Sequence, residues 1–386
     1  MNILNKETLS LANTDRLNQI AEQFNPDGPI INVTEYGTGN VNDTYLVVLD
    51  APGEGGRFIM QRINQHVFRH PELIMLNMGA LSEHVEARLA REQAATTPER
   101  RWETPRVYFS KSGRNYHLAE DGSFWRAMSF IDHSTAYARV QSHRHAAEAG
   151  YALGRFQSLI SDMPPNTLHD TLVGFHITPN YLNHYDAVLA RRDTTPARAA
   201  TKPEFQYCMG FVERHRSLVH VLEDAKADGR LPIRTMHGDP KIDNIMIDDT
   251  TGCAVSIIDL DTVKPGLVHY DIGDCLRSCC NPLGEETVDL NNVRFDLDLC
   301  REILRGYLSV ARAFFNPADY DYLYDSIRLI TFELGLRFFT DHLEGNVYFK
   351  ARHPEHNLQR AFVQFKLTES IEAQEHELRT IIRDMR

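Results

Sequence analysis

The pattern of apolar residues changes period once along the chain, near residue 131, and this limits the possible folds more than any other feature. Before that point short apolar runs lie between turn residues, and Ile30–Tyr36, Thr44–Leu49, Phe58–Ile63, Arg106–Ser110 and Phe124–Phe130 read as strands. The stretch Ala51–Gly56 is a hairpin connection and Glu120-Asp121-Gly122 a turn. Two helices accompany these strands: Asp15–Phe24, capped at Thr14, and Pro71–Arg91, with Leu73, Met75, Met78, Leu81 and Val85 at largely helical spacing. After residue 131 the spacing is helical over Ala146–Ile160, Glu204–Ala227, Leu297–Phe315, Leu323–Leu343 and Leu358–Ile382. One insert, Thr235–Asp261, holds two short strands around Asp249-Thr250-Thr251-Gly252. The expected fold is α+β, with a small antiparallel-sheet lobe over residues 1–131 and a larger, mainly helical lobe over 132–386. A hinge near Phe130–His133 would leave a cleft between them.

Two lobes also suit the length, because 386 residues exceed what one hydrophobic core usually serves. A formal net charge of -12 disfavours a nucleic-acid partner, which needs clustered Lys and Arg; a nucleotide needs only a few local donors. No apolar run approaches the roughly 20 residues that span a bilayer, and Met1–Ser10 lacks a basic segment leading into an apolar one. A cytoplasmic protein without a membrane partner is expected. The six cysteines show no zinc spacing, and Cys275, Cys279 and Cys280 read as small buried hydrophobes in a reducing compartment. Nothing in the sequence specifies an oligomeric state.

The densest chemical signal is His237-Gly238-Asp239-Pro240-Lys241-Ile242-Asp243-Asn244, running into Ile245-Met246-Ile247. A carboxylate in a tight loop with an amide five residues on suits phosphoryl transfer: Asp239 orients an attacking hydroxyl and Asn244 holds a metal. Lys241 is placed to neutralise charge on the transferring phosphate. Downstream, Ser256-Ile257-Ile258-Asp259-Leu260-Asp261 reads as a buried strand ending in two carboxylates. Asp259 is the first choice to complete an oxygen-rich Mg²⁺ site with Asn244. Asp261, two residues on and on the same strand face, is an auxiliary ligand or a loop brace.

These paired patterns, His-Gly-Asp-x4-Asn and Ile-Asp-x-Asp, resemble the catalytic loop and metal strand of the protein-kinase-like superfamily, in its aminoglycoside phosphotransferase and choline kinase branch. The resemblance implies ATP and Mg²⁺ as cofactors, Asp239 as catalytic base, Asn244 and Asp259 as metal ligands and Lys241 as the loop lysine. It also makes Tyr36–Tyr45, with Gly37, Thr38, Gly39 and Asn40, the nucleotide loop, where glycines let backbone N–H groups approach phosphates. Adenine would lie against Met128–Asp132, including Phe130 and Ile131. The superfamily's small-lobe lysine is absent, and Gln61 or Arg62 occupies its place.

The match is closer still to N-acetylhexosamine 1-kinases, over nearly the whole length. Phe58–Asn64, Trp125-Arg126, Phe130–His133, Ile258–Thr262 and Asp271-Ile272-Gly273-Asp274 all resemble that group, as does Glu333–Phe338 continuing through Asp341–Asn346 to Pro354–Leu358. Transfer of the ATP γ-phosphate to the anomeric hydroxyl of N-acetylglucosamine or N-acetylgalactosamine is implied. Asn40 stands where those kinases carry His, so it is a candidate substrate contact. Arg337 and Asp341, four apart on a helix that reads as buried, are candidates for the acceptor pocket, with Tyr348 beyond; the alternative for the pair is an i,i+4 ion pair. Asp271 is expected to brace the catalytic loop by accepting backbone N–H bonds, and His237 to pack against the metal strand. The alternatives are a kinase for homoserine, choline or an aminoglycoside, and a nucleotide-binding pseudokinase.

Overall fold

The computed structural model describes residues 14–24, 28–37, 39, 41–50, 56–95, 100–191 and 203–386. The chain forms two compact units, one made of Met1–Glu83 with Glu103–Asp132, the other of His84–Trp102 with His133–Arg386.

In the first unit, helix α1 (residues 14–21) tightens into a 3-10 turn at Glu22–Phe24 and is followed by strands β1 (Ile30–Glu35), β2 (Asp43–Leu49) and β3 (Arg57–Ile63). Helix α2 (Pro71–Ala95), which from His84 on belongs to the second unit, leads to β4 (Val107–Tyr108), β5 (His117–Leu118) and β6 (Phe124–Ser129). The sheet is antiparallel in the order β1-β2-β3-β6-β4, with β5 also pairing with β6. The alternation read from the sequence is what builds its core. Tyr45, Val47 and Leu49 of β2, Phe58 and Met60 of β3, and Trp125 and Ala127 of β6 share one buried cluster with Leu17, Ile20 and Ala21 of α1. Most of the expected hairpin connection, residues 51–55, lies outside the described residues, but the register Val48↔Arg57 shows where the strands meet.

The second unit opens with β7 (Ser134–Ala136), α3 (His143–Ile160), α4 (Thr178–Arg191), α5 (Pro203–His215) and α6 (Val221–Ala227). Then come β8 (Arg234–Met236), β9 (Ile245–Asp248), β10 (Ala254–Ile257) and β11 (Lys264–Gly266). It closes with α7 (Val268–Cys279), α8 (Leu297–Ala311), the short α9 (Pro317–Asp321), α10 (Leu323–Glu344), α11 (His356–Ala373) and α12 (Glu375–Met385). Strands β10, β9 and β7 form one small sheet and β11 pairs with β8, all antiparallel.

Several expected helices divide. Glu204–Ala227 becomes α5, a 3-10 stretch at Arg216–His220, and α6. Leu358–Ile382 breaks at Gln374, whose amide nitrogen donates to the carbonyls of Ser370 and Phe295, each at 3.0 Å. Helix α7 lay outside the sequence expectation for a physical reason: every residue in it except Ser278 is buried, including Asp271, Asp274 and Arg277. Asp271, Asp274 and Arg277 recur at helical spacing, but this polar stripe faces the protein interior instead of solvent. The expected strand Ser256–Asp261 ends at Ile257, so Asp259 and Asp261 are not strand residues.

Helices α3 and α8 pack at backbone contact. A methyl group on Gly150 would lie 1.9 Å from the Ile303 carbonyl oxygen, and one on Gly306 would lie 1.9 Å from that of Ala147. Backbone cannot yield as a flexible side chain can. Gly306→Ala is therefore expected to destabilise the protein by about 1–3 kcal/mol or more. Gly79→Ala on α2, where a methyl group meets nothing within 4 Å, should be neutral or stabilising by up to about 1 kcal/mol. Denaturant midpoints of the two variants make the comparison.

Candidate active site

The His237–Asn244 loop enters from β8 through a glycine that the geometry requires. Gly238 has φ +93°, and a Cβ there would lie 2.8 Å from Thr262 atoms. Asp271 on α7, with no exposed surface, accepts the N–H of His237 through Oδ2 and that of Gly238 through Oδ1, both at 2.8 Å. The amide of Gln157 on α3 donates to the same Oδ2 at 2.8 Å, and the Tyr307 hydroxyl on α8 donates to Gln157 Oε1 at 2.6 Å. Burial pushes the Asp271 carboxyl up to about 6, with these N–H bonds pulling the other way.

His237 does what the sequence reading expected. It is fully buried, sits edge-on to Phe156, donates from Nε2 to the Ile258 carbonyl at 3.0 Å, and accepts the Asp239 N–H at Nδ1 at 3.2 Å. Burial pushes its pKa down to about 4, so the ring is neutral.

The structure brings Asp239, Lys241 and Asn244 together. Asn244 Nδ2 donates to the Asp239 carbonyl at 2.8 Å and to Asp239 Oδ2 at 3.3 Å, which leaves its amide oxygen as the atom available to a metal. Lys241 Nζ lies 3.5 Å from the same Oδ2. Among the described residues Asp239 Oδ1 accepts no hydrogen bond, and the side chain is 32% exposed. The carboxylate is nonetheless surrounded by protein. Desolvation, together with the charges of Asp274, Asp259 and Asp243, raises its pKa to about 7 against the pull of Lys241. The charge of Asp239 in turn raises Lys241.

Asp259 is half-buried and takes the left-handed conformation, φ 66° and ψ 60°, immediately before a 3-10 turn at Leu260–Thr262. Holding a non-glycine residue there costs of order 1 kcal/mol, and such positions cluster at functional sites. Ile258 N–H donates to the Asn244 carbonyl at 2.8 Å, which ties the two segments together. Asp261 is buried inside the turn, and its carbonyl accepts the Thr171 hydroxyl at 2.6 Å. Asp261 does not share a strand face with Asp259, because the chain leaves the strand before either residue.

Arg337 and Asp341 do not pair. The guanidinium of Arg337 lies over four rings, Phe175 at 4.9 Å, Tyr181 at 5.1 Å, Phe349 at 5.4 Å and Tyr348 at 5.8 Å, and among the described residues it makes no hydrogen bond or ion pair. It feels the charge of Asp239. Asp341 faces the next loop. Its oxygens accept the N–H groups of Val347 at 2.9 Å, Tyr348 at 2.7 Å and Phe349 at 3.1 Å, together with the Asn357 amide at 2.8 Å. Four donors leave no role for it as an acceptor ligand. It positions the segment whose rings flank Arg337.

In the first unit, Gly37 has φ +76° and open space around it, while Thr38 and Asn40 lie outside the described residues. Gln61 accepts from Arg126 Nε at 2.9 Å and donates to the Thr44 hydroxyl at 2.9 Å. Arg62 is exposed and pairs with Asp43 across the sheet. Arg126, on β6 opposite Gln61, is the buried cation of this sheet. Phe130 meets Tyr36 edge-on at 5.9 Å, with Arg57 at 4.6 Å from its ring, and Ile131 is buried. All six cysteines are free, and among the described residues no helix is long and apolar enough to cross a membrane.

Fold and loop together define a phosphotransferase of the protein-kinase-like type. The model of the phosphotransferase enzyme family matches residues 32–307, and the chain belongs to that family. Solved structures with the same fold include an aminoglycoside phosphotransferase from Alicyclobacillus acidocaldarius, 15% identical, with TM-score 0.58 over 95% of this chain and 96% of that one. A spectinomycin phosphotransferase in complex with ADP and its antibiotic is 12% identical, with TM-score 0.55 over 94% and 98%. A choline kinase from Cryptosporidium parvum is 13% identical, with TM-score 0.55 over 91% of each chain.

The bonds at Asp341 lead to a direct test. Asp341→Asn replaces one acceptor oxygen by a donor facing N–H groups, so it should lower stability by about 1–3 kcal/mol. An ion-paired Asp341 at the surface would cost at most about 1 kcal/mol. Melting curves of the variant and the parent decide between them.

Proposed function

We propose that the protein is an ATP- and Mg²⁺-dependent kinase of a small alcohol, with the anomeric hydroxyl of an N-acetylhexosamine as acceptor. The observation that carries this reading is Asp239, a carboxylate with one oxygen against Asn244 and Lys241 and the other open, on a loop whose backbone is held by Asp271. In the reaction the acceptor oxygen bonds to the γ-phosphorus as the bond to the bridging oxygen breaks. The electron pair leaves on ADP, and the hydroxyl proton passes to Asp239. The Asn244 amide oxygen and the Asp259 carboxylate are hard donors of the kind Mg²⁺ takes alongside nucleotide phosphates, and the ion would supply charge neutralisation at those phosphates. Lys241 offsets negative charge beside Asp239.

Arg337 supports the choice of acceptor. A guanidinium framed by aromatic faces, with no hydrogen bond or ion pair among the described residues, suits a neutral ring that offers hydroxyl and acetamido oxygens, and it repels a cation. One observation favours an amine-bearing acceptor instead: Asp274, whose Oδ1 pairs with Arg277, has a buried Oδ2 without a hydrogen-bond partner among the described residues, and its charge is felt at Asp239.

ADP release measured with N-acetylglucosamine, N-acetylgalactosamine, choline, ethanolamine and an aminoglycoside separates the readings. Turnover with an N-acetylhexosamine, and an anomeric phosphate seen by phosphorus NMR, is the expected result. Turnover confined to the amines replaces the acceptor, and none with any acceptor removes the kinase reading. Asp239→Asn should lower kcat by about 100-fold or more while leaving calorimetric Mg-ATP affinity unchanged. Arg337→Ala should raise KM for the sugar by roughly 10- to 150-fold, the equivalent of one charge-assisted hydrogen bond of about 1.5–3 kcal/mol, with KM for ATP unaltered.

A further inference from the structure

We propose that His176 is a positioning residue for the transfer, gripping the peptide that aims Asp239; the inference rests on the kinase reading of that loop. The peptide joining Gly238 to Asp239 is held at both ends by a histidine. His237 Nδ1 accepts its N–H at 3.2 Å, and His176 Nε2 faces its carbonyl oxygen at 2.7 Å. The orientation of this peptide plane sets the direction in which the Asp239 side chain leaves the backbone, because only two soft torsions per residue intervene.

The two histidines must differ in protonation. A carbonyl oxygen offers no proton, so His176 Nε2 is a donor. Its Nδ1 lies 2.8 Å from Glu333 Oε1, and the other Glu333 oxygen accepts the Thr178 hydroxyl at 2.6 Å. A neutral imidazole has only one donor, so an ionised Glu333 calls for an imidazolium. The groups facing the ring agree. Glu333 comes from α10, while Tyr270 from α7 stacks on it at 5.5 Å and 22°, and the charge of Asp274 on α7 also reaches it. Burial opposes the charge, yet these carboxylates, Glu333 foremost, raise the His176 pKa overall.

Stability alone does not account for this arrangement. His176 and Glu333 are buried, at 3% and 1% exposure, and a buried ion pair is commonly no better for stability than apolar residues of the same volume. His176 is also held at φ 63°, a left-handed conformation that disfavours a ring-bearing residue. A strained backbone and a desolvated ion pair are both spent on one carbonyl, that of the residue preceding Asp239.

The test uses the full chain with His176→Gln and Glu333→Gln, and with His84→Gln, on an exposed pair with Asp162, as control. Hydrogen exchange over residues 236–244 and kinetics with Mg-ATP and N-acetylglucosamine are read on variants whose circular dichroism matches the parent. In both site variants the loop amides should exchange about tenfold faster or more. The kcat should fall about 10- to 100-fold, with KM for Mg-ATP within about twofold. Unchanged loop exchange overturns the proposal, and so does faster exchange with unchanged kcat. Should neither variant fold, nitrogen-15 spectra of the wild-type ring decide at neutral pH: a protonated Nε2 supports the grip, and an unprotonated Nε2 overturns it. A wild-type protein that phosphorylates no acceptor removes the kinase reading, while loop exchange in the variants still shows whether His176 holds the loop.

Discussion

Asp271 is the group on which the rest of the second unit depends. A carboxylate with no exposed surface must find donors inside the protein or leave a costly unpaired charge. It finds the N–H groups of His237 and Gly238 and the amide of Gln157. These bonds reach back through the packing. Gln157 is on α3 and is oriented by Tyr307 of α8, which follows Gly306, one of the residues that let the two helices approach at backbone contact. A glycine remote from the chemistry is thus linked, through a hydroxyl, an amide and a carboxylate, to the loop that carries Asp239. Small errors in helix packing have a route to the reacting geometry, where displacements of about 1 Å are expensive.

The same unit buries further ionic groups in matched sets. Arg277 bonds Asp274, and Arg234 bonds Asp319 with two nitrogens, at 2.8 and 3.1 Å. Apolar replacements could stabilise such positions as well or better. What charges add is direction: a carboxylate meeting two adjacent N–H groups accepts one arrangement of the loop and rejects a slid or flipped one.

This directionality explains how much of the site was legible in the sequence. His237, Asp239, Lys241 and Asn244 lie within eight residues, and their types and spacing already suggest one loop; the hydrogen bonds within it are short in sequence. Asp271 followed from its motif, but its partner Gln157 is 114 residues from it, Tyr307 is 150 residues from the Gln157 it orients, and neither residue type announces a role. His176 and Glu333 are 157 residues apart and invisible for the same reason. The buried polar helix α7 was hidden by the opposite problem, since a rule that puts charged residues at the surface cannot find a helix whose charges pair inside. The sheet of the first unit was legible because one of its faces packs on α1, so that period-2 alternation survives in β2 and β3. At Asp259 the alternation misled, because the strand ends at Ile257 and the chain then turns through a left-handed residue at Asp259.

Arg337 and Asp341 show what a correct spacing can conceal. Residues four apart on a helix share a face, and read as a pair they suggest an ion pair or two ligands of one pocket. The same face of α10 also carries Glu333 one turn earlier, and the three residues do different things. Glu333 bonds His176 at the catalytic loop, Arg337 presents its guanidinium to four rings, and Asp341 bonds the backbone that holds two of those rings. Over eight residues a helix advances about 12 Å, so the spacing between the loop grip and the aromatic segment is set by backbone hydrogen bonds rather than by side-chain packing. On the function proposed above, a substrate held at Arg337 would be measured against Asp239 by that rigid interval of α10.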